Sequence, residues 1–302
     1  MNPSRRQFNQ WIGAAVAATA CFRPSLGFAD SGLNLGLNTW SLRALSQEEA
    51  VPVIVQVMKQ AGLRDCQILF SHVEPAKLNP VFPVGVLSPP RLPPTPQQLE
   101  ERKKTQAALT EWRLSVPMSY FESIRSAFER QGLRITSYAA RLGSSEAEID
   151  RLFLMAKSLG AGSINARIPE SMTSVMAAAA EKHRLIVGIQ FSDVKVMERQ
   201  LAASKYFRMD PDIGDMTKAK MDALQFVQAN YQSMSSIDLK DAVLGGGSVP
   251  FGEGDSHMKE VLQFLKEKQV PAPAYVDCDY AGTGRSTEEV KKCVLYVRSI
   301  ID

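Results

Sequence analysis

Histidine is scarce in this chain, and so are paired cysteines, unbalanced charge and long apolar runs. His72, His183 and His257 are the three histidines among 302 residues, which excludes a site built from many imidazoles. The four cysteines lack C-x-x-C spacing, so neither a zinc cage nor a disulfide framework is implied. Cys66, Cys278 and Cys293 read as small buried apolar side chains, although an oxidising compartment permits one bridge. The formal charge of +3 comes from Arg5, Arg6 and Arg23, the charged residues that precede Asp30. Setting these aside leaves 32 bases against 32 acids, and with them goes any electrostatic case for nucleic acid. With 45% hydrophobic and 22% charged residues the composition is that of a globular chain.

The first residues carry an address. Ser4-Arg5-Arg6-Gln7-Phe8 precedes an apolar run, Trp11 to Ala20, that falls short of the roughly 20 residues a membrane-spanning helix needs. The order of charge, apolar run and small residues reads as a twin-arginine signal peptide over residues 1–29, cleaved before Asp30, and places the protein in the periplasm. Lipoprotein anchoring at Cys21 is disfavoured, because Ala18-Thr19-Ala20 lacks the usual large aliphatic residue.

Past Asp30, short β-rich apolar runs alternate with amphipathic stretches, the pattern of βαβ units around a parallel sheet. The expected strands are Leu33 to Trp40, Cys66 to Phe70, Arg134 to Ala140, Ser163 to Ile168, Leu185 to Phe191, Tyr206 to Met209, Met234 to Leu239 and Ala274 to Cys278. Ser46 with Glu49, Ser119 with Glu122, Ser145 with Glu148 and Ser286 with Glu289 fit the capping box that opens helices, and Gly62, Gly132 and Gly160 fit their ends. Eight such units over residues 30–302 predict a single α/β domain, a (β/α)8 TIM barrel. A Pro-rich insertion at about 71–118, holding Pro75, Pro80, Pro83, Pro89, Pro90, Pro93, Pro94 and Pro96, leads into a charged helix near Gln97 to Leu109. It follows a strand on the face where such barrels work, so it reads equally as a lid and as a surface or dimer contact.

Several segments resemble the xylose isomerase-like barrels that include sugar phosphate isomerases and epimerases. Leu35-Gly36-Leu37-Asn38-Thr39-Trp40-Ser41 is similar to their first strand, and Phe153 to Gly160 to the helix before their fourth. Ser236-Ile237-Asp238-Leu239-Lys240-Asp241 resembles their seventh strand, usually H-x-K-D, and Val249 to Asp255 resembles the loop after it. Trp112-Arg113-Leu114-Ser115-Val116-Pro117 resembles a segment found in a subset of them.

The resemblance implies a divalent metal held by a Glu, an Asp, a His and a Glu at the ends of strands five to eight. The matching positions here are Gln190, Asp212, Asp238 and Asp277. That set is all oxygen and suits manganese, magnesium or calcium. The resemblance also implies that Asp277 is a base and that Lys240 holds a substrate oxygen, with pairing to Asp241 as its structural alternative. Asp215 stands where the family often carries a substrate-contacting His. Trp40 is suited to stacking on a sugar and His72 to supplying a displaced imidazole, while Arg141, Asn165 and Arg167 are placed to donate to hydroxyls.

Epimerisation in such barrels uses two carboxylates on opposite faces of the sugar, and Gln190 removes one. Isomerisation, β-elimination or hydration of a free or keto-sugar needs one base. The expected partner is therefore a small sugar, with a homo-oligomer compatible with the sequence. The alternative is a non-catalytic sugar-binding or structural barrel whose metal site has degenerated. The endonuclease branch of the same superfamily fails on charge and on its need for several histidines.

Overall fold

The computed structural model describes residues 33–79, 93–190 and 194–302. The expected signal segment and Pro80, Pro83, Pro89 and Pro90 lie outside these residues.

Eight parallel strands form in the order foreseen: β1 (Leu35–Asn38), β2 (Asp65–Leu69), β3 (Arg134–Ala139), β4 (Ser163–Ala166), β5 (Ile186–Gln190), β6 (Phe207–Asp210), β7 (Ile237–Leu239) and β8 (Ala274–Val276). They are hydrogen-bonded in the order β6-β5-β4-β3-β2-β1-β8-β7. Between β6 and β7 the ring is carried by two parallel bridges, Met209 to Met234 and Asp212 to Asp238. Their hydrogen bonds run from Ser235 N to Met209 O at 2.8 Å and from Asp238 N to Pro211 O at 2.8 Å. The result is a nearly closed (β/α)8 barrel.

Strand alternation divides the residues between two environments, because successive side chains point to opposite faces. Leu37, Ile68, Ile164, Val187, Leu239 and Val276 face outward into the apolar layer beneath the helices. The intervening residues face the lumen, and here they are polar: Asn38, Gln67, Asn165, Asp210, Asp238 and Tyr275 are all buried. Most buried polar groups find at least one hydrogen-bond partner, and several of these find one another. Asn165 Nδ2 donates to Ser236 Oγ (2.8 Å) and also reaches Gln67 Oε1, Ser236 Oγ donates to Asp210 Oδ1 (2.6 Å), and Thr136 Oγ1 lies 2.8 Å from the Tyr275 hydroxyl.

The helices that cover the barrel begin as their caps dictate, with instructive exceptions. In α1 (Gln47–Ala61) Glu49 reaches back to Ser46 N at 3.1 Å. α2 (Pro96–Ser115) opens on Thr95, whose hydroxyl accepts from Gln98 N while Gln98 returns the bond. α3 (Met118–Glu129) does not start at Ser119: Pro117 is its cap, and Ser119 lies inside its first turn. In α4 (Glu146–Ser158) Ser145 caps Glu148 N, but the Glu148 carboxylate turns to Arg113, Thr110 and Ser144 N rather than completing a box. Further round the barrel come α5 (Thr173–His183), α6 (Val194–Ala203), α7 (Ile213–Lys218), α8 (Ala223–Asn230), α9 (Met258–Glu267) and α10 (Thr287–Ile301). Among the described residues no helix is long and apolar enough to cross a membrane.

The insertion is locked down at its helix. Arg113, wholly buried on the last turn of α2, donates Nε to Glu74 Oε1 (2.9 Å), Nη2 to Glu74 Oε2 (3.0 Å) and Nη1 to Glu148 Oε1 (2.8 Å). The Tyr138 hydroxyl adds a bond to Glu74 at 3.2 Å. Trp112 meets Tyr120 and Phe121 edge to face, with ring centroids 5.9 and 6.1 Å apart. The bidentate buried arginine and the aromatic cluster anchor the C-terminal end of α2 to the barrel.

Candidate functional site

The polar lumen ends at the C-terminal mouth in a knot of acids, and strand parity puts them there. On β7 the inward positions are Ser236, Asp238 and, one step past the strand, Lys240. On β8 they are Tyr275 and, past the strand, Asp277 and Asp279. On β6 the strand runs one residue further than the sequence suggests, so that Asp210 ends it and Asp212 follows beyond Pro211.

Lys240 lies at the centre of this knot. Its Nζ is 2.7 Å from Asp212 Oδ2, 3.0 Å from Asp277 Oδ2, and 3.7 Å from both Asp215 Oδ1 and Asp279 Oδ2. Burial alone would depress its pKa, but Asp212 and Asp277 outweigh that and hold it well above the lysine range, so the group is a permanent ammonium. It does not pair with Asp241. That carboxylate instead accepts backbone N–H bonds from Ala242 (3.0 Å), Gly252 (2.8 Å) and Gly254 (3.2 Å), and so folds the glycine-rich loop after β7 onto itself.

The acids around the ammonium differ in their compensation. Asp215 also pairs with Lys218 at 2.6 Å and Arg167 at 3.1 Å, and Asp279 with Arg43 at 3.0 Å. Burial would raise Asp215, but Lys240, Lys218 and Arg167 together hold it below the usual carboxylate value. Asp277 is pushed up to about 7 by burial, against the pull of Lys240. Asp210 is also pushed up to about 7 by burial, against the hydrogen bond it accepts from Ser236. Burial and the neighbouring Asp210, Asp277 and Asp212 also raise Asp238 well above the usual carboxylate value, and its Oδ1 accepts from Asn38 Nδ2 at 3.0 Å. Two buried oxygens, Asp277 Oδ1 and Asp210 Oδ2, have no hydrogen-bond partner. Side-chain exposure rises from 3% at Asp277 through 17% at Asp212 to 35% at Asp215, so the knot opens toward solvent on the α7 side.

These residues do not fit the divalent metal that the resemblance implies. The space shared by Asp212 and Asp277 is taken by the Lys240 ammonium. Asp238 is turned to Asn38, whose Nδ2 donates to its Oδ1. Among the described residues no group of three or more His, Cys, Asp or Glu is arranged to hold a metal ion.

Other expected residues separate. His72 is fully buried, with Nδ1 3.1 Å from Thr39 Oγ1 and Nε2 3.2 Å from Leu42 O, and burial pushes it down to about 4; both ring nitrogens are spent on holding the start of the insertion. Asn165 spends its amide inside the lumen on Ser236 and Gln67, below the mouth. Arg167 joins Asp215, as above, while Arg141 donates to Gln106 of α2 at 3.3 Å on the exposed rim. Trp40 is half-buried after β1, with the Arg43 guanidinium 5.7 Å from its ring centroid. The sequence reading missed Asp210, Asp279, Arg43 and Asn38. The signal for the first two was parity, since Asp210 shares its face with Asp212 and Asp279 with Asp277.

No family model matches the chain, and no curated protein matches it in sequence. Solved structures do match in fold. A xylose isomerase domain protein from Planctomyces limnophilus superposes with a TM-score of 0.61 at 13% identity, covering 89% of this chain and 96% of its own. The probable 3-DHS dehydratase AsbF from Bacillus anthracis gives 0.62 at 11% identity, covering 88% and 99%. A sugar phosphate isomerase/epimerase from Parabacteroides distasonis ATCC 8503 gives 0.56 at 13% identity, covering 90% and 96%. At such identities the likeness speaks for fold and not for reaction. The chain is therefore an α/β protein with the xylose isomerase-like TIM-barrel fold.

Proposed function

We propose that the C-terminal mouth of this barrel binds a small free sugar or keto-sugar and carries out isomerisation or lyase chemistry on it with one base. The observation that carries this reading is the Lys240–Asp277 pair: a buried ammonium 3.0 Å from a carboxylate whose second oxygen is buried and unpartnered. An unsatisfied buried oxygen beside a fixed positive charge is a place prepared for a proton and a developing oxyanion.

In the proposed reaction Asp277 Oδ1 takes the proton from the carbon next to the substrate carbonyl. The electron pair moves onto the carbonyl oxygen, and the Lys240 ammonium stabilises the resulting negative charge. Transfer of the neighbouring hydroxyl's proton to the former carbonyl oxygen, with return of the proton from Asp277 to the former carbonyl carbon, forms the new carbonyl next door and completes an isomerisation. Departure of a β-hydroxyl as water, protonated by Asp277, completes a dehydration instead. A carboxylate balanced near pH 7 both takes and returns a proton at neutral pH. Gln190 has no basicity, so a symmetric two-base epimerase is not proposed. Xylose isomerase-like, epimerase and dehydratase neighbours in fold support a sugar-like substrate class. The Arg5-Arg6 segment supports export to the periplasm, where free rather than phosphorylated sugars are the expected substrates.

Screening aldoses and keto-sugars by proton exchange from solvent deuterium, with chelator present, tests the proposal. Turnover that survives chelator and falls at least a hundredfold in Asp277→Asn supports it. Turnover that needs added metal, or is indifferent to Asp277→Asn, contradicts it. A second reading, sugar binding without turnover, is favoured by one fact: the ammonium's ion pairs are all with carboxylates of the protein itself. Calorimetric binding of a sugar with no deuterium incorporation would select it.

A further inference from the structure

The Lys240 ammonium stands where a cation is needed, and its surroundings are shaped for it. Nζ has four carboxylate oxygens within 3.7 Å, from Asp212, Asp277, Asp215 and Asp279. Asp215 and Asp279 have their own outer partners in Lys218, Arg167 and Arg43, but the ion pairs of Asp212 and Asp277 among the described residues are with Lys240. Two negative charges thus share one positive charge. The buried oxygens Asp277 Oδ1 and Asp210 Oδ2 find no donor. The backbone is cleared for the lysine stem as well: a Cβ on Gly214 would come 2.6 Å from Lys240 Cγ and 2.8 Å from its Cβ.

We infer that Lys240 is a covalently tethered substitute for a divalent cation, and that removing its charge converts the mouth into a site for a hard divalent metal ion. Two uncompensated carboxylates, with further oxygens from Asp210, Asp215 and Asp279 nearby, are the all-oxygen environment such ions prefer. In the intact chain the tethered ammonium competes intramolecularly with any ion from solution, so the mouth takes up no metal ion. This inference concerns the mouth of the proposed function but needs no turnover, so its failure and the failure of that proposal are separately visible.

The experiment is titration of the folded protein with Mn2+ alone, read by calorimetry and by loss of the free-ion paramagnetic resonance signal. Wild type is expected to take up no stoichiometric Mn2+, and its melting temperature to be unmoved by Mn2+ or chelator. Lys240→Ala is expected to bind one Mn2+ per chain at least tenfold more tightly than wild type, to melt higher in its presence, and to lose both properties when Asp277→Asn is added. Lys240→Gln, which keeps the length of the side chain over Gly214, provides the same comparison if the alanine variant is insoluble. Stoichiometric Mn2+ on wild type overturns the inference, as does a folded neutral variant that binds none. Failure of both neutral variants to fold in millimolar Mn2+ also overturns it, since the ion would then be unable to replace the ammonium.

Discussion

Two buried cations in this barrel are held by acids in opposite ways. Arg113 is surrounded to completion: two carboxylates receive its fork, the Tyr138 hydroxyl and the Thr110 hydroxyl finish those carboxylates, and all three charged side chains are wholly buried. Lys240 is one compact charge among four acids, with two neighbouring buried oxygens left without partners and an edge open to solvent. A planar guanidinium can satisfy a closed network because its donors match the carboxylate geometry, whereas an ammonium is a point charge that cannot. The difference teaches how to tell a closed ion cluster from an open one by counting what remains unsatisfied. The closed network fixes α2 to the barrel; the open one has capacity for something else.

The largest test of this comparison is to remove each cation. Arg113→Met leaves two carboxylates buried without a counter-charge and is expected to cost about 3–5 kcal/mol in urea denaturation. Lys240→Met is expected to cost less, about 1–3 kcal/mol, because its acids can take up protons or water at the open edge. A larger loss at Lys240 than at Arg113 would break the distinction.

His72, next to Glu74 in the closed region, gives a pH-dependent test. Its folded pKa is about 4 against an ordinary 6.5, so the fold prefers the neutral ring. The stability that preference represents is fully present above 6.5 and is lost as pH falls toward 4, to a limit of about 3 kcal/mol. Comparison of wild type with His72→Gln at pH 7 and pH 4 should show the difference shrinking on acidification; a difference independent of pH would mean the ring is accessible to protons without cost.

A smaller effect is expected at the open cluster from Gly214→Ala. The new methyl meets the Lys240 stem and must push it aside, at roughly 1–2 kcal/mol of strain. Turnover or sugar binding should fall more than stability does, and an unaltered site with the methyl accommodated would show that the clearance at Gly214 is incidental.

Much of this was legible from the sequence. All eight strands announced themselves as β-rich runs between turn residues, and their ends erred by three residues at most. At β6 the small error mattered, because ending the strand at Met209 hid Asp210. Lys240 stood out beside Asp238, yet its partners come from β8 and the β6–α7 turn, and no local spacing predicts which distant acid a lysine meets. Arg113 shows the same limit more strongly: nothing in Trp112 to Pro117 marks that arginine as wholly buried, since Glu74 and Glu148 lie 39 and 35 residues away. His72 was placed after the correct strand, but burial by Thr39 and Leu42 is a tertiary fact. The Ser119–Glu122 box is a fair pattern that Pro117 pre-empted by capping the helix two residues earlier.

Lys240 as a fixed ammonium inside the acid knot is the central feature of the site, and nitrogen-15 NMR of lysine-labelled protein reads it directly. The assigned Lys240 Nζ, identified by its absence in Lys240→Gln, should remain protonated as pH is raised past 10.5, with ammonium protons slowed in exchange by Asp212 and Asp277. A resonance that titrates below 10.5, or exchanges as fast as a surface lysine, would contradict it.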